Sequence, residues 1–408
     1  MTQSRRVSTT PPNNLIMSFP RLLSRPCLLL QLAALSAAPA FAATPLDQVK
    51  SAADVQAVIA ATMAPAAKRA LQAHSAAILA AAAKKPHVDF VVATLDKSPG
   101  SYTKTNTTPA DLKQALGADA AIFDTLKMVN LGTASLGVKG KRESDPFNQD
   151  FYEHLSHISD LEGLTILNTT AENDWLIPLA KLTSLSRLDI INQSKLNDSG
   201  LAHLAGLKQL ERFAYIGTKV TGKPFKDFQG WTRLKSSSFR GSQIDDEGLK
   251  HLCERFPNYE TLSLAHAKFT DAGAVHLAKL KNLKGLEVGS TMATSASLRH
   301  LLKLPLEYFQ LGEGVESEGS IEILKEIKTL KRLTLANCKK LTDAELKTLA
   351  GMIHLEHLEL GSLPLPPERL AQLKQFAFLK SMRLVPPYPK ELQTSIQELL
   401  PKVAIRFE

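Results

Sequence analysis

One pattern of apolar and polar positions recurs along the chain at a nearly constant interval. Counted from Leu161, the pattern L-x-x-L-x-L restarts at Leu185, Leu210, Leu234, Tyr259, Leu283, Leu306, Leu330, Leu355 and Leu379, at intervals of 23 to 25 residues. Apolar and polar residues alternate within each pattern, as a short strand with one buried face requires. A period of this length indicates a solenoid of stacked coils.

An amphipathic segment follows the strand pattern in each coil. In residues 271–278 the apolar positions return at helical spacing, so this segment and the strand pattern before it can close over a shared core. Thr342-Asp343-Ala344-Glu345 fits a capping box at a helix start. No single coil can hide its apolar face, so stacking neighbours must supply stability, at about 1.5 to 3 kcal/mol for each fully buried leucine.

The helix starts carry a recurring phrase, seen in Leu196-Asn-Asp-Ser-Gly-Leu201, Phe269-Thr-Asp-Ala-Gly-Ala274 and Leu341-Thr-Asp-Ala-Glu-Leu346. With the L-x-x-L that follows, these phrases resemble the cysteine-containing class of leucine-rich repeats and the secreted repeat proteins of planctomycete-type bacteria. The chain has Thr, Ser or Ala where that class most often has Cys. The resemblance covers roughly two thirds of the chain and implies a recognition scaffold.

The predicted fold class is an α/β solenoid, a leucine-rich-repeat arc with a parallel sheet on the concave face and helices on the convex face. An N-terminal α-helical cap region is expected to precede it, because an uncapped solenoid would expose its core.

Four segments are predicted along the chain. Residues 1–42 form a signal peptide, 43–105 an Ala-rich helical region, 106–160 an N-terminal cap with an irregular first repeat, and 161–408 a solenoid of about ten repeats. Pro65 should separate two helices in the Ala-rich region, and residues 86–95 fit either a helix or a short strand. Residues 98–109 are predicted as a turn-rich linker. Strands are expected at Leu126-x-x-Val129-x-Leu131 and, closing the sheet, at Val403-x-Ile405-x-Phe407.

Residues 1–42 have the pattern of a secretory signal. Arg21 and Arg25 precede an apolar run over 27–38 that ends in the cleavage pattern Ala40-Phe41-Ala42. The run is shorter than the roughly 20 residues that a membrane-spanning helix needs. We therefore expect export to the periplasm or the extracellular space, without a membrane span. Translation from Met17 would give a signal of more usual length than translation from Met1.

Removing the signal changes the charge of the chain. The loss of its four arginines leaves 45 basic against 40 acidic residues, a net charge of +5 in place of +9. The one short basic run, Lys139-Gly140-Lys141-Arg142, is typical of a solvated loop and is not interleaved with aromatics. Nucleic acid is therefore not an expected partner.

Strand alternation predicts which side chains face the concave side, where successive coils stack them in rows. These rows are polar and rich in small residues, basic toward their N-terminal half and more acidic later. The residues predicted to bind a ligand there are Arg187, Arg212, Arg240, His266, Glu287, Tyr308, Gln310, Arg332, His357 and Glu359. Aromatics and Arg are favoured at binding hot spots, which makes Tyr308, Arg332, His357 and Glu359 the leading cluster. The alternative is that all ten are solvated strand residues.

The sequence contains no G-x-S-x-G, P-loop, H-E-x-x-H or C-x-x-C motif. His203, His251, His276 and His300 recur at one helix position in different coils, but convex helices about 10 Å apart are too distant to share one zinc ion. Cys253 and Cys338 lie four coils apart, on the order of 20 Å, so two thiols are expected instead of a disulfide. No catalytic residue, metal or cofactor is predicted.

Three functions follow from these patterns. The leading one is an exported, non-enzymatic recognition scaffold that binds a protein or a cell-envelope polymer, such as a polysaccharide, through its concave face. The second is a structural or self-associating envelope protein that docks through its Ala-rich helices. The third is a hydrolase with a site in the polar loop Lys139 to Asp145.

Overall fold

A computed structural model describes residues 45–132, 146–312, 319–385 and 388–408, all within one compact unit, Ala40–Glu408. Two sequence predictions lie outside the described residues: the signal peptide over 1–42 and the hydrolase site at 139–145.

One sheet runs through the described residues, with its strands side by side in chain order. The strands are β1 (Gly100–Asn106), β2 (Asp124–Leu131), β3 (Gly163–Leu167), β4 (Arg187–Ile191), β5 (Arg212–Ile216), β6 (Ser236–Ser238), β7 (Thr261–Ser263), β8 (Gly285–Glu287), β9 (Tyr308–Leu311), β10 (Arg332–Leu335), β11 (His357–Gly361), β12 (Ser381–Val385) and β13 (Ala404–Phe407). The first pair is antiparallel, and β2 to β13 are parallel. The parallel order confirms the predicted solenoid and its closing strand.

Helices form the second layer and connect the strands. The α-helices are α1 (Ala52–Ala61), α2 (Pro65–Ala73), α3 (Ser75–Leu95), α4 (Ala110–Leu116), α5 (Gln149–Ser156), α6 (Asp198–His203), α7 (Asp246–Arg255), α8 (Asp271–Ala274), α9 (Ser320–Leu324), α10 (Asp343–Ala350), α11 (Pro367–Leu370) and α12 (Lys390–Leu399). 3₁₀ turns occupy Leu46–Gln48, Gly117–Phe123, Asn173–Lys181, Lys223–Asp227, Val275–Lys279, Ser295–Leu301 and Ala371–Phe376. The predicted capping box is present at the start of α10, between Thr342 and Glu345.

The predicted apolar positions form one interior column across the sheet. Leu262 pairs in register with Leu286, and Leu333 pairs with Leu358. Phe213 and Phe309 continue the column on β5 and β9, and Ser237 occupies the same position on β6. The chain therefore folds as a leucine-rich-repeat solenoid, with one polar substitution in its interior column.

The N-terminal region differs from its prediction in two places. It contains three helices instead of two, because the segment after Pro65 is divided at His74 into α2 and α3. Helix α3 runs through Pro86, so residues 86–95, which fitted either a helix or a strand, are helical. An interior proline costs about 3 kcal/mol, but α3 buries Ala82 and Val88 on either side of it, which offsets that cost. The predicted turn-rich linker contains β1, which pairs with β2 through its backbone. Most β1 side chains are exposed and polar, so the strand carries no apolar alternation.

Helix α3 joins the N-terminal helices to the repeats. Ile78 and Ala81 pack in a core that α3 shares with α1, α2 and α4. Further along the same helix, Val91 and Leu95 pack in the core of the repeats. The N-terminal helices and β1 thus cover the first coil, as the predicted cap requires.

Polar side chains at the helix starts link consecutive coils. The Asp246 Oδ1 atom accepts hydrogen bonds from the backbone N–H groups of Thr270 at 2.6 Å and Gly273 at 3.0 Å, and Oδ2 accepts from the Thr270 hydroxyl at 2.8 Å. We call this contact the coil-to-coil clamp. Corresponding clamps are made by Asn173, Asp198 and Asp271. The recurring Asp of the helix-start phrase is therefore an acceptor for the next coil.

The glycine of that phrase has a matching steric role. A Cβ atom on Gly273 would overlap the Asp246 carboxylate, and one on Gly248 would overlap the Thr221 carbonyl oxygen. Only glycine lets the preceding coil approach this closely.

The strand-exit residues bond back to their own turns. The hydroxyls of Thr218 and Thr291 and the Cys338 thiol each donate to the carbonyl oxygen three residues earlier, at 3.3, 3.1 and 3.6 Å. Cys338 thus makes the same turn contact as the two threonines. Cys253 is also a buried thiol, and burial raises its pKa.

Candidate recognition site on the concave face

The strand positions between the interior apolar ones line up in two rows on the concave face. The first row contains Arg187, Arg212, Ser236, Thr261, Gly285, Tyr308, Arg332 and His357, and the second contains Asp189, Ala214, Ser238, Ser263, Glu287, Gln310, Thr334 and Glu359. The register matches the predicted rows. Each of these side chains therefore projects from a strand that backbone hydrogen bonds hold in place, and not from a loop.

A cavity of about 450 Å³ opens on this face between β4 and β9. Its floor consists of small side chains on the central strands, namely Ala214, Ser236, Ser238, Thr261, Ser263 and Gly285. Its walls include four of the ten predicted residues, Arg187, Arg212, Glu287 and Tyr308. The cavity exists because a run of short side chains lies between two groups of long ones.

Two arginines and one buried carboxylate form the N-terminal wall. The Arg187 Nη2 and Nε atoms lie 2.6 and 2.7 Å from Asp189 Oδ2. The Arg212 Nε atom lies 3.6 Å from Asp189 Oδ1. The Asp189 side chain is 4% exposed, against 45% for Arg187 and 56% for Arg212, so the carboxylate orients the guanidinium groups from below. The three groups together leave one surplus positive charge in the wall.

Asp189 was not among the predicted site residues. Its carboxylate is buried, and acids at strand positions between arginines read as exposed from sequence alone. The available signal was the spacing: Arg187 lies two residues before it on the same strand face, and Arg212 on the next strand.

A carboxylate held by two hydroxyls forms the C-terminal wall. Ser263 donates to Glu287 Oε2 at 2.6 Å, and the Tyr308 hydroxyl lies 3.2 Å from Glu287 Oε1 and 2.7 Å from Gln310 Oε1. Burial, followed by the neighbouring Glu287 charge, raises the pKa of Tyr308. Tyr308 is therefore neutral, and its hydroxyl contacts hold it in the cavity wall.

The remaining predicted residues lie outside this cavity. Arg240 and His266 are exposed at strand exits, and the His266 backbone is left-handed at φ 63°. Arg332 and His357 continue the first row beyond Tyr308.

The leading predicted cluster is contiguous but largely engaged with its own neighbours. His357 Nδ1 lies 2.7 Å from the Ser381 hydroxyl, and Glu359 pairs with Arg383 at 3.1 Å. Burial, followed by the charge of Arg332, lowers the pKa of His357. Tyr308 thus belongs to the cavity, whereas His357 and Glu359 belong to a second polar stretch toward the C-terminus.

The described residues offer little for catalysis or metal binding. Within them, no group of three His, Cys, Asp or Glu side chains is placed to hold a metal ion. On the convex side, His251 faces Glu247 at 3.6 Å and His203 faces Asp174 at 4.0 Å. None of the described helices is long and apolar enough to cross a membrane.

No family model and no curated protein matches the sequence. Similar solved structures include an internalin (inlF) from Listeria monocytogenes, with 20% identity and a TM-score of 0.41 over 56% of this chain and 63% of that one. They also include an internalin C2 (inlC2) from the same organism, with 20% identity and a TM-score of 0.38 over 51% of this chain and 83% of that one. The chain thus spans less than two thirds of the length of the inlF internalin.

Proposed function

We propose that the chain is a non-enzymatic recognition scaffold that binds a protein partner through its concave face. The observation that carries the proposal is the cavity of about 450 Å³ between two charged walls. The backbone of β4 to β9 fixes both walls, so a ligand would meet a preorganised surface and bind with little loss of conformational freedom.

The residue types of the cavity favour recognition over chemistry. Arg and Tyr are enriched at the energetic centres of protein interfaces, and Arg187, Arg212 and Tyr308 all border the cavity. Catalysis would require a nucleophile or general base within hydrogen-bond reach of a partner that activates it. The cavity hydroxyls instead bond to each other and to Glu287.

The cellular setting of the proposal comes from the sequence. The signal pattern over 1–42 supports export, to the periplasm or beyond the cell. In that setting a cell-envelope polymer such as a polysaccharide is the other class of ligand for the same face. From the helix-start phrases, we also propose that the chain is related to the cysteine-containing repeats and to the secreted proteins of planctomycete-type bacteria.

An affinity capture experiment tests the proposed function. The full chain is immobilised and exposed to an envelope extract from the source organism, in parallel with an Arg212→Ala/Tyr308→Ala variant. An Arg299→Ala/His300→Ala variant on the convex side is the matched control. We expect the wild type and the control to retain the same protein and the concave-face variant to lose it.

Equal recovery by all three forms would refute binding through the concave face. Light scattering on the eluted full chain distinguishes this proposal from the second hypothesis, a self-associating protein. A self-associating protein would elute as a multiple of 44.5 kDa without any partner. Circular dichroism on each variant verifies that the repeats remain folded.

A further inference from the structure

The two walls of the concave cavity carry opposite charges that the fold leaves available. In the N-terminal wall, Arg212 shares Asp189 with Arg187, approaches it only to 3.6 Å through Nε, and lines the cavity. More than half of the Arg212 side chain is exposed, at 56%. This wall can therefore bind a carboxylate through charge-assisted hydrogen bonds.

In the C-terminal wall, Glu287 accepts hydrogen bonds from Ser263 and Tyr308, which are neutral donors. Within the described residues, no Lys, Arg or His forms an ion pair with it. Glu287 differs in this from Glu359, three strands further along, which pairs with Arg383 on the next strand. A cationic group on a ligand would supply the missing countercharge.

The floor between the walls suits a polypeptide backbone. The Ser236 and Ser238 hydroxyls can donate to carbonyl oxygens. The Thr261 and Ser263 hydroxyls donate to Ser236 and Glu287, and their oxygens can accept from N–H groups. Gly285 and Ala214 add no bulk, so a main chain can approach the sheet closely.

The distance between the charged groups sets a spacing on the ligand. Arg212 and Glu287 lie three strands apart and in neighbouring rows. Strands about 4.8 Å apart, with two residues of offset along the strand, place the two positions roughly 15 Å from each other. An extended chain rises about 3.3 Å per residue, so roughly four to five residues span that distance.

On this geometry we infer that the cavity selects an extended peptide segment that crosses the strands, with an acidic and a basic side chain four or five residues apart. The acidic group would bind at Arg212 and Arg187, and the basic group would bind at Glu287. The inference rests on the proposed function and narrows it to a dipolar peptide. An acidic polysaccharide would bind at the arginine wall alone and would supply no positive charge for Glu287.

Fluorescence anisotropy on the full chain tests the inference with labelled nine-residue peptides on an alanine-serine background. The set contains Asp followed four residues later by Lys, the same peptide in the order Lys then Asp, each single-charge peptide and the neutral peptide. We expect the wild type to bind the tighter of the two dipolar peptides at least tenfold more tightly than every single-charge peptide. Arg212→Gln and Glu287→Gln should each weaken that binding about tenfold, and the convex control Arg299→Gln should not.

A charge-swap variant protects the test against misfolding. Arg212→Glu combined with Glu287→Lys reverses both walls, and a dipolar peptide can bind it in the opposite chain direction, so this variant should still bind dipolar peptides more tightly than single-charge peptides. A misfolded protein would bind neither peptide. Wild-type binding of the dipolar peptides that is no tighter than binding of the single-charge peptides overturns the inference, as does an acidic oligosaccharide that binds the wild type and the Glu287→Gln variant alike.

The two proposals fail in different ways. If capture from the extract depends on Arg212 and Tyr308 but the wild type binds dipolar and single-charge peptides alike, only the dipolar peptide is refuted. If capture is independent of the concave face, the proposed function is refuted.

Discussion

The Tyr259 hydroxyl donates a hydrogen bond to Ser237 Oγ at 3.0 Å inside the core of the solenoid. Ser237 occupies a position of the interior column that Leu or Phe fills on the neighbouring strands. Tyr259 is fully buried, and burial raises its pKa. Two polar groups in an apolar column are tolerated because each satisfies the other.

This pairing predicts non-additive stability changes. Tyr259→Phe leaves the Ser237 hydroxyl without its partner, and Ser237→Ala does the same to Tyr259, so each should lower the free energy of unfolding by about 1 to 3 kcal/mol. The double variant should lose less than the sum of the two, because neither polar group is then orphaned. Urea denaturation of the four proteins measures the coupling. Additive losses would show that the hydrogen bond contributes nothing.

A second prediction concerns the coil-to-coil clamp at Asp246. Asp246→Ala removes the acceptor of three donors in the next coil and should cost about 2 to 3 kcal/mol. Asp246→Asn should cost less than about 1 kcal/mol, mainly through lost charge at the helix start. Asn173 shows why, since its single amide oxygen already accepts two backbone donors in its own clamp. Equal losses for both variants in thermal unfolding would contradict the role given to the oxygen.

A third prediction compares two glycines. A Cβ on Gly248 would overlap the backbone of Thr221, so Gly248→Ala forces the two coils apart and should destabilise the fold by roughly 1 to 3 kcal/mol. Gly206→Ala is the control, because a Cβ there meets no atom within 4 Å. It should leave stability unchanged or raise it slightly, since alanine restricts the unfolded chain more than glycine does. Differential scanning calorimetry of the two variants decides the point.

A fourth prediction concerns pH and a histidine cluster at the junction of α3 and α5. The Nδ1 atoms of His87 and His154 lie 3.2 Å apart, and the His87 ring stacks on His157 at 3.9 Å. One Nδ1 must carry the hydrogen and the other must accept it, so both rings cannot be protonated in this geometry. Nearby, Lys84 is paired with Asp160 at 3.0 Å, so that carboxylate is already engaged.

Burial, followed by the charges of His157 and His154, holds the pKa of His87 below its ordinary value of 6.5. The unfolded chain then binds the proton more readily, so this contribution to stability is complete above pH 6.5 and is lost as the pH falls below it. We expect the urea concentration at the midpoint of unfolding to decrease when the pH is lowered from 7.5 to 5. His87→Gln should reduce that fall, and the exposed His300→Gln should not. An unchanged pH dependence in His87→Gln would contradict this.

The sequence predicts the repeat architecture well because one physical signal dominates it. Alternation of apolar and polar residues with a constant period identifies the strands, and the register then aligns Leu262 with Leu286 and Arg212 with Ser236. Strand β1 lacks that signal. It forms through backbone pairing with β2 and keeps its side chains polar, so composition indicates a linker there.

The candidate site is predictable in its rows and less so in its contacts. The small residues of the floor and the long ones of the walls can be read from alternation alone. The burial of Asp189 beneath two arginines, and the hydroxyl support of Glu287, depend on side-chain rotamers across neighbouring strands. Such contacts have no counterpart in the periodicity of the chain.

The clamps at Asn173, Asp198, Asp246 and Asp271 all reach from one coil to the following one. During synthesis, the acceptor for each new helix start therefore lies on a segment that has already been translated. Assembly can proceed vectorially, with every finished turn acting as a template for its successor. Truncation should then have different effects at the two ends. A fragment that begins in the middle of the array lacks the acceptor for its first helix, whereas a fragment that ends in the middle keeps the acceptors for all of its helices.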